Sequence, residues 1–297
     1  MKFTGGEIKN KIARRELLSQ FRQESNKKKR ELKRIRRKEE LANPELKEKR
    51  LAENVPQTLE SKREYDETMV EEDDEDEIDE FANYFSKNLE PKVLITTSKS
   101  PSRTMYTFTD ELCDVFPNST FVKRGIQFEI NHIVEFSKKR DYTDVIIVNE
   151  DKKMPTSLTL IHLPDGPTAH FRLSSVIMSK QIHNHGRSTS HNPELILNNF
   201  NTRLGHTIGR MFQSLFPQVP EFEGRQTATF HNQRDFIFFR RHRYEFKSGE
   251  KVNLQEIGPR FTLKLKWLQR GLFDSEKGEF IWKFNADMET SRKRFFL

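Results

Sequence analysis

Charged side chains are concentrated in the first 80 residues, and this confines any hydrophobic core to the rest of the chain. Residues 1–50 contain 18 Lys or Arg and 8 Asp or Glu, whereas residues 51–80 contain 2 and 14. Such segments bury too little apolar surface to offset the entropy that is lost on ordering. We therefore expect a basic arm, an acidic linker, a folded domain and a basic tail, at residues 1–50, 51–85, 86–285 and 286–297.

The basic arm contains NKKKRELKRIRRKEE, residues 26–40, whose helix-forming residues and acid–base spacing favour an exposed or partner-bound helix. A solvated, disordered arm fits the same composition. Lys/Arg clusters serve nuclear import and RNA binding through the same electrostatics, and both roles remain open. The acidic run EEDDEDEIDE, residues 71–80, would repel phosphate, so we interpret it as a disordered spacer that shields the arm or binds a basic partner.

Other features of the composition exclude several classes of protein. The single cysteine, Cys113, excludes a disulfide framework and a Cys-rich zinc site. No apolar run approaches the about 18 residues that a membrane span needs, and MKFTGGEIKNK lacks the apolar centre of a signal peptide. We expect a soluble, intracellular protein. Its net charge of +7 favours nucleic acid or another acidic partner.

From residue 91 onward, apolar patterns predict alternating strands and helices. PKVLITTS predicts a strand, and SRTMYTFTDELCDVFP predicts a helix with Met105, Phe108, Leu112 and Val115 on its apolar face. Further strands are predicted at STFVKRG, DVIIVNED, SLTLIHL and TAHFRLS. A second helix is predicted at FEINHIVEFSKKR, and the Pro-Asp-Gly-Pro sequence at 164–167 predicts a hairpin turn. This alternation indicates an α/β fold.

A second strand and helix follow Pro193 in a similar arrangement. Pro91 to Pro117 spans 26 positions and Pro193 to Pro217 spans 24, and each segment reads as a strand followed by a helix that ends in Phe-Pro. We interpret this as an internal duplication. TATFHNQRDFIFFRRHRYEF and the stretch 252–268 then predict two long strands, joined by KSGE, that close a second sheet.

The last of these strands has one apolar side and one charged side. The apolar row consists of Phe261, Leu263, Leu265 and Trp267, and the other row of Thr262, Lys264 and Lys266. Successive side chains in a strand point to opposite faces. We therefore predict that the Phe/Trp side packs in the core and that the Lys side contacts RNA or an acidic partner.

Cations beside a sheet and at helix starts suit contacts with phosphate. The interleaved Phe236, Phe238, Phe239 and Tyr244 are assigned mainly to the core, with stacking on a base as the alternative. Asp235 is expected to form an ion pair with its neighbour Arg234. The candidate RNA-binding residues are Lys99, Arg103, Arg203, Arg210, Arg234, Arg240, Arg241, Arg243, Arg260, Lys264 and Lys266.

Features that would indicate an enzyme are weak. His183, His185 and His191 lie in a polar loop without a nearby Cys or a helical His pair, so we predict no metal site. Cys113 falls in the middle of a predicted helix and is expected to be a buried thiol rather than a nucleophile. The sequence contains no Walker loop, dinucleotide-binding glycine motif or Gly-x-Ser-x-Gly elbow. We expect no catalytic activity and no cofactor.

Three segments resemble hallmark segments of the Brix domain family. They are LPDGPTAHFRLS, FHNQRDFIFFRRHRYEF and EIGPRFTLKLKWLQRGLFD, the last of which is similar to the sigma-like motif of the family. The resemblance spans about residues 91–285. It implies two duplicated lobes, at about 91–180 and 193–285, each similar to the anticodon-binding domain of class II aminoacyl-tRNA synthetases.

The resemblance also implies a function. Brix proteins are nucleolar assembly factors, so a non-catalytic protein of the nucleus and nucleolus is expected, which binds pre-rRNA during maturation of the large (60S) ribosomal subunit. A second assembly factor is expected as heterodimer partner, and other pre-60S proteins are expected as further partners. No association with a membrane is expected. The alternative is a protein-interaction scaffold in pre-ribosomal particles, with only indirect RNA contact. An rRNA-processing nuclease is a third alternative, and we expect no metal-dependent cleavage.

Overall fold

A computed structural model describes residues 10–58, 60–70, 81–87, 89–249, 251–274, 278–291 and 293–297. The chain forms two compact units, Met1–Lys62 and Arg63–Leu297. The acidic run at 71–80 lies outside the described residues. No helix within the described ranges combines the length and the apolar character needed to cross a bilayer.

The first unit consists of two helices, α1 (Lys11–Ala42) and α2 (Pro44–Glu53). The side chain of Asn10 accepts hydrogen bonds from the backbone N–H groups of Ile12 and Ala13, which satisfies donors that a helix start leaves free. The Nε–H of Arg50 donates to Glu40 at 2.6 Å, so the two helices are linked by an ion pair. Neither helix buries a residue within the described chain. The helical alternative for the charged arm is therefore confirmed.

One sheet of eleven strands forms the described part of the second unit, together with four helices. The helices are α3 (Ala82–Phe85), α4 (Arg103–Val115), α5 (Ile130–Lys138) and α6 (Arg203–Gln213). The strands are β1 (Val93–Thr97), β2 (Ser119–Phe121), β3 (Asp144–Asp151), β4 (Met154–His162), β5 (Thr168–Ile177), β6 (Glu194–Asn198), β7 (Gln226–Gln233), β8 (Phe236–Ser248), β9 (Lys251–Glu256), β10 (Arg260–Gln269) and β11 (Phe280–Lys283). The predicted α/β class is confirmed.

Apart from β2, which has no counterpart at the other end, the strand order is symmetric about the centre of the sheet. It runs β2-β1-β3-β4-β5-β10-β8-β7-β6, with β9 paired to β8 and β11 paired to β10. β1 and β3 are parallel, as are β6 and β7, and antiparallel strands lead from each pair to the central β5–β10 pair. The predicted second sheet is thus continuous with the first. The origin of the two halves by duplication stays a prediction.

Both α4 and α6 pack on the same face of this sheet and form one core. The predicted apolar residues of α4, namely Met105, Phe108, Leu112 and Val115, are all buried. The Phe108 ring lies 6.0 Å from that of Phe261 on β10, and the Phe212 ring of α6 lies 5.6 Å from that of Phe171 on β5. Besides packing on its own half of the sheet, each helix therefore contacts a strand of the other half.

The opposite face of the sheet is covered in its first half by α5. Ile133 and Val134 of this helix pack on Leu94, Val145 and Ile147 of β1 and β3 in a second, smaller core. No described α-helix covers the second half of this face, on β8, β10 and part of β5. This open area carries the residues considered below.

Two strand predictions are wrong in their boundaries. Arg234 and Asp235 have φ of 56° and 62° and form a turn between β7 and β8, where the sequence predicted one long strand. Positive φ at both central residues is the geometry of tight hairpin turns. The predicted strand 252–268 is divided at Gly258, whose φ of 88° favours glycine. β9 therefore pairs with the outer part of β8 and β10 with the inner part.

Parts of the predicted linker and tail belong to the second unit. Phe81 is 3% exposed and Leu297 is 1% exposed, and both join the main core. The guanidinium of Arg63 donates to the carbonyl oxygens of Phe295 and Leu297, and the N–H of Val70 donates to the carbonyl of Asn201. Phe81 and Leu297, which the sequence assigned to the linker and the tail, therefore pack in the core of the second unit.

Candidate nucleic-acid interface

β10 carries a bulge at Lys266 that changes which side chains face the core. Leu265 pairs with Phe171 of β5, and Trp267 pairs with the adjacent His170, so Lys266 is an extra residue. The prediction that Trp267 lies on the core side with Phe261 is therefore wrong. Leu268, 1% exposed, takes the core position. Trp267 stacks on the ring of His170, with centroids 5.1 Å apart, on the opposite face.

Five cations lie on the open face of the sheet, and we call this area the basic sheet face. Lys264 is opposite Arg172 on one neighbouring strand and opposite Phe236 on the other. Side chains of directly opposed residues share a face of the sheet. The basic sheet face consists of Arg172, Arg240, Arg260, Lys264 and Lys266, with the rings of Phe236, Phe238 and Trp267 between them.

A carboxylate holds two of these cations in place. Glu256 accepts two hydrogen bonds of 2.6 Å from Arg260 and lies 3.9 Å from the Nε of Arg240. The bond from Arg260 lowers the pKa of Glu256, and the same bond raises the pKa of Arg260. Burial lowers the pKa of Arg240. Glu256, Arg240 and Arg260 together keep a net charge of +1, and the carboxylate orients both guanidinium groups.

The C-terminal segment covers the two lysines of β10. The Nζ of Lys264 lies 4.5 Å from the centroid of the Phe284 ring and forms an ion pair with Glu289, and the Nζ of Lys266 lies 4.1 Å from the same ring. Burial, and then the charges of Lys264 and Arg172, lower the pKa of Lys266. The charged side of β10 therefore contacts the protein's own residues as well as solvent.

Four predicted residues lie away from the basic sheet face, at the starts or outer sides of helices. Lys99 and Arg103 are exposed near the start of α4, where Lys99 forms an ion pair with Glu129. Arg203 is exposed in the first turn of α6. The guanidinium of Arg210, also on α6, lies 5.2 Å from the ring of Phe85. α6 packs on the other face of the sheet.

Three predicted arginines near the β7–β8 hairpin have separate environments. Arg241 is 2% exposed and donates to the side chain of Gln226 at 2.8 Å, so the prediction that it presents its charge at a surface is wrong. Burial lowers its pKa. Arg243 is exposed but lies on the opposite side of β8 from Arg240. Arg234 lies in the turn, 5.9 Å from the ring of Phe295.

The predicted ion pair between Asp235 and Arg234 is replaced by a contact with the C-terminal segment. The Oδ1 of Asp235 accepts hydrogen bonds from the backbone N–H groups of Phe296 and Leu297, at 2.8 and 2.9 Å. Burial raises the pKa of this carboxyl group, although the two N–H bonds oppose the shift. Asp235 thus fastens residues 296 and 297 to the hairpin turn.

Arg172 is a member of the basic sheet face that the sequence interpretation missed. It is exposed on β5, between the buried residues Phe171 and Leu173. The signal was the period-2 alternation in TAHFRLS, in which the polar row contains His170, Arg172 and Ser174. Only the partner strand, brought alongside by the fold, shows that this row continues the charged row of β10.

Asp144, His162 and Ser214 form a buried cluster of residue types found in catalytic triads, but their hydrogen bonds are not those of a triad. The Oδ1 of Asp144 lies 2.8 Å from the Nδ1 of His162 and accepts a hydrogen bond from the Oγ of Ser214. Nucleophilic catalysis would require the hydroxyl to bond the imidazole. Burial and the Asp144 charge raise the pKa of the adjacent Tyr84 to about 12. The arrangement joins α6 to β3 and β4.

The residues considered for a metal or a nucleophile are dispersed. His183 and His185 are exposed, and His191 contacts the hydroxyl of Thr189 at 3.0 Å. Across the described chain, no group of three or more His, Cys, Asp or Glu could hold a metal ion. Cys113 is half-buried, and burial raises the pKa of its thiol. A thiol with a raised pKa is a poor nucleophile.

Comparisons with known proteins agree with the predicted resemblance. A family model described as Brix domain matches residues 98–267. Ribosome production factor 1 from Saccharomyces cerevisiae is 51% identical, with 98% of this chain and 97% of the relative covered. The protein of the same name from Pongo abelii is 49% identical, with 99% and 85% covered. A crystal structure of a "probable ribosomal biogenesis protein" from Aeropyrum pernix K1 is 16% identical, with 59% and 96% covered and a TM-score of 0.45.

Proposed function

This chain belongs to the Brix domain family, and we propose that it is a non-catalytic ribosome assembly factor that binds pre-rRNA during maturation of the large subunit. The names of the two relatives refer to ribosome production, which supports a role in assembly. In this proposal the protein acts in the nucleus and nucleolus, within pre-60S particles and together with a second assembly factor.

The basic sheet face is the observation that carries the RNA-binding part of this proposal. Arg172, Arg240 and Arg260 present guanidinium groups on one open surface, and guanidinium groups bind phosphate through paired N–H donors. Aromatic rings lie between the cations, with Phe236 41% exposed. Cations that follow a backbone beside rings that can stack on bases are typical of surfaces that bind single-stranded RNA.

The ion pairs within the basic sheet face determine how strongly it would bind RNA and how that binding would depend on salt. Glu256 and Glu289 already neutralise part of the charge of Arg260 and Lys264. RNA phosphates would therefore exchange with these carboxylates, and the cations would be held in position before RNA arrives. We expect binding of moderate strength that weakens steeply with salt, because phosphate contacts release counterions. Such binding suits a factor that leaves the particle.

A second candidate function is that of a protein-interaction scaffold with indirect RNA contact. The side chain of Lys264 is only 16% exposed, since Phe284 and Glu289 cover it. A surface whose cations are already paired with carboxylates could equally bind an acidic protein. RNA binding remains the preferred function because Arg172 is exposed on the same face.

Binding of the purified full-length chain to naked pre-rRNA fragments over a range of salt concentrations tests the proposal. The double substitution Arg172→Gln and Lys266→Gln should weaken binding to different sequences by similar factors and reduce the salt slope by about one to two units. Lys247→Gln, at an exposed position in the β8–β9 hairpin, is the matched control. Equal affinities and slopes for all three proteins would favour the scaffold instead.

A further inference from the structure

A cavity of about 350 Å³ opens beside the free end of the sheet, between β1, α5 and the loop that follows β2. It is large enough for one bulky side chain. Its apolar walls are formed by Leu94, Val122, Phe128, Ile133 and Phe136. This site lies on the first half of the molecule, away from the cations of the basic sheet face. We call it the α5 cavity.

The mouth of the α5 cavity exposes apolar side chains that a monomer usually covers. Val122 is 46% exposed, Phe136 is 41% exposed, and Ile126 in the adjoining loop is 70% exposed. The rings of Phe128 and Phe136 lie edge to face, with centroids 5.6 Å apart. Contiguous apolar surface around a concave site is typical of a place where another molecule binds.

Three of the polar groups that line the cavity already have partners in the protein. The hydroxyl of Thr96 donates to the carbonyl of Val122 at 2.8 Å, and the hydroxyl of Ser137 donates to Ile133 at 2.7 Å. The Nε–H of Arg124 donates to the carbonyl of Phe128 at 2.9 Å, which fixes the loop. A nucleobase needs donors and acceptors that can bond its edges. These walls instead favour an aliphatic or aromatic side chain.

The charged side chains that line the cavity are all cationic. Lys123, Arg124 and Arg140 line it, and its lining contains no carboxylate. Arg124 is partly neutralised by Glu129, at 3.6 Å, whereas Lys123 and Arg140 are exposed. A ligand that carries carboxylates next to its apolar side chain would therefore be complementary in charge as well as in polarity.

The neighbouring strand offers a place for an extended chain. β2 is the last strand in the sheet order and, within the described residues, pairs only with β1. A free strand edge presents N–H and C=O groups that an added peptide strand can pair with. A peptide along β2 would pass beside Val122, which follows the strand directly.

We infer that the α5 cavity binds an acidic segment of a partner protein, which inserts one large apolar side chain between Phe128 and Phe136 and places carboxylates against Lys123 and Arg140. This inference rests on the proposal that the chain works with a second protein. It does not depend on RNA binding, which is assigned to the basic sheet face. It gives the partner a site on the first half of the molecule.

The test uses the full-length chain and four fluorescein-labelled synthetic probes, measured by fluorescence anisotropy. The first probe is an acidic peptide with a central Phe flanked by Asp and Glu. The second has Ser in place of Phe, the third has Asn and Gln in place of the acids, and the fourth is an oligouridylate. Protein variants are Phe136→Asp and Arg140→Glu, and the exposed Phe246→Asp and Lys247→Glu serve as matched controls.

We expect saturable binding of the first peptide that weakens tenfold or more in Phe136→Asp and in Arg140→Glu, as at a binding hot spot. The second and third peptides should bind equally weakly to all proteins, and the control variants should match the wild type. Circular dichroism and the unfolding midpoint establish that Phe136→Asp is folded, and Arg140→Glu provides a second variant at an exposed position.

Three results would overturn the inference. The first is the absence of saturable binding of the first peptide to the wild type, and the second is equal affinities for the Phe and Ser peptides. The third is displacement of the first peptide by unlabelled oligouridylate, if the oligouridylate no longer binds Phe136→Asp. The last result would make the cavity an RNA site. Loss of RNA binding in the Arg172→Gln, Lys266→Gln variant with unchanged peptide binding would separate the two sites.

Discussion

The Nζ of Lys264 lies over the ring of Phe284, 4.5 Å from its centroid, and forms an ion pair with Glu289. The residue that the sequence assigned to RNA is thus covered by a later part of the same chain. Glu289 is itself exposed, and a phosphate that bound Lys264 would have to displace its carboxylate. Whether this carboxylate competes with RNA is a question that binding measurements can answer.

Substitution Glu289→Gln should increase the affinity for RNA. Removing a partly exposed carboxylate next to Lys264 should strengthen binding about 1.5- to 5-fold, since exposed ion pairs contribute about 0.2–1 kcal/mol. The effect should shrink as salt rises, because screening weakens the competing ion pair. Asp287→Asn, an exposed acid in the same segment, is the matched control. An equal gain in both variants would indicate a general charge effect.

Phe261→Ala and Trp267→Ala should differ in their effect on stability. Phe261 is 1% exposed and stacks on Phe239, so its loss should lower the free energy of unfolding by about 3–5 kcal/mol. Trp267 is half-buried on the other face, where its removal leaves no closed cavity, and should cost about 1–2 kcal/mol. Denaturant unfolding measures both values, and equal losses would contradict the face assignment made from the bulge.

Truncation at residue 62 should leave the second unit stable, whereas truncation at residue 80 should weaken it. The longer deletion removes Arg63, which bonds the carbonyls of Phe295 and Leu297, and Val70, which bonds Asn201. We expect a loss of about 2–3 kcal/mol, because hydrogen bonds from charged groups are among the stronger ones. Thermal and denaturant unfolding test this. Arg63→Gln in the full chain should reproduce much of the loss, and identical stability of the two truncations would contradict it.

The ion pair between Glu256 and Arg260 should stabilise the fold only above acidic pH. The hydrogen bond from Arg260 lowers the pKa of Glu256 from 4.5, so folding favours the ionised carboxylate. The contribution is present above pH 4.5 and is lost as the pH falls through the folded-state pKa. Arg260→Gln should cost up to about 1 kcal/mol at neutral pH and less at lower pH, because Arg260 is partly exposed. A constant difference across pH would contradict this assignment.

Helices of this protein could be predicted well from the sequence because their signal is local. Met105, Phe108 and Leu112 recur at the spacing of one helix face, and all are buried in α4. The same holds for Ile208, Met211 and Phe212 in α6. The grouping of Arg240, Arg260, Lys264 and Lys266 also follows from alternation in two strands, although the sequence could not show that they share a face with Arg172.

The errors arose where one residue changes the phase of a strand or where distant segments meet. A single extra residue at Lys266 reverses the faces of Trp267 and Leu268, and periodicity within one strand cannot show a bulge that its partner strand defines. Arg241 belongs to a basic run in the sequence, but in the fold it follows Ile237 and Phe239 on the side of β8 that packs in the main core. Asp235 meets Phe296 and Leu297 across 61 and 62 positions of sequence.

The place of β10 in the sheet has a consequence for the order in which the protein can be made. β10 lies between β5 and β8, yet it leaves the ribosome after almost all the other strands. Until it emerges, β5 has an unpaired edge, and Phe108 of α4 lacks the Phe261 ring on which it packs. Unpaired edges and exposed apolar faces in nascent chains promote aggregation. Until residue 269 has left the exit tunnel, the nascent chain therefore exposes both the edge of β5 and the apolar side of α4 that Phe261 later covers.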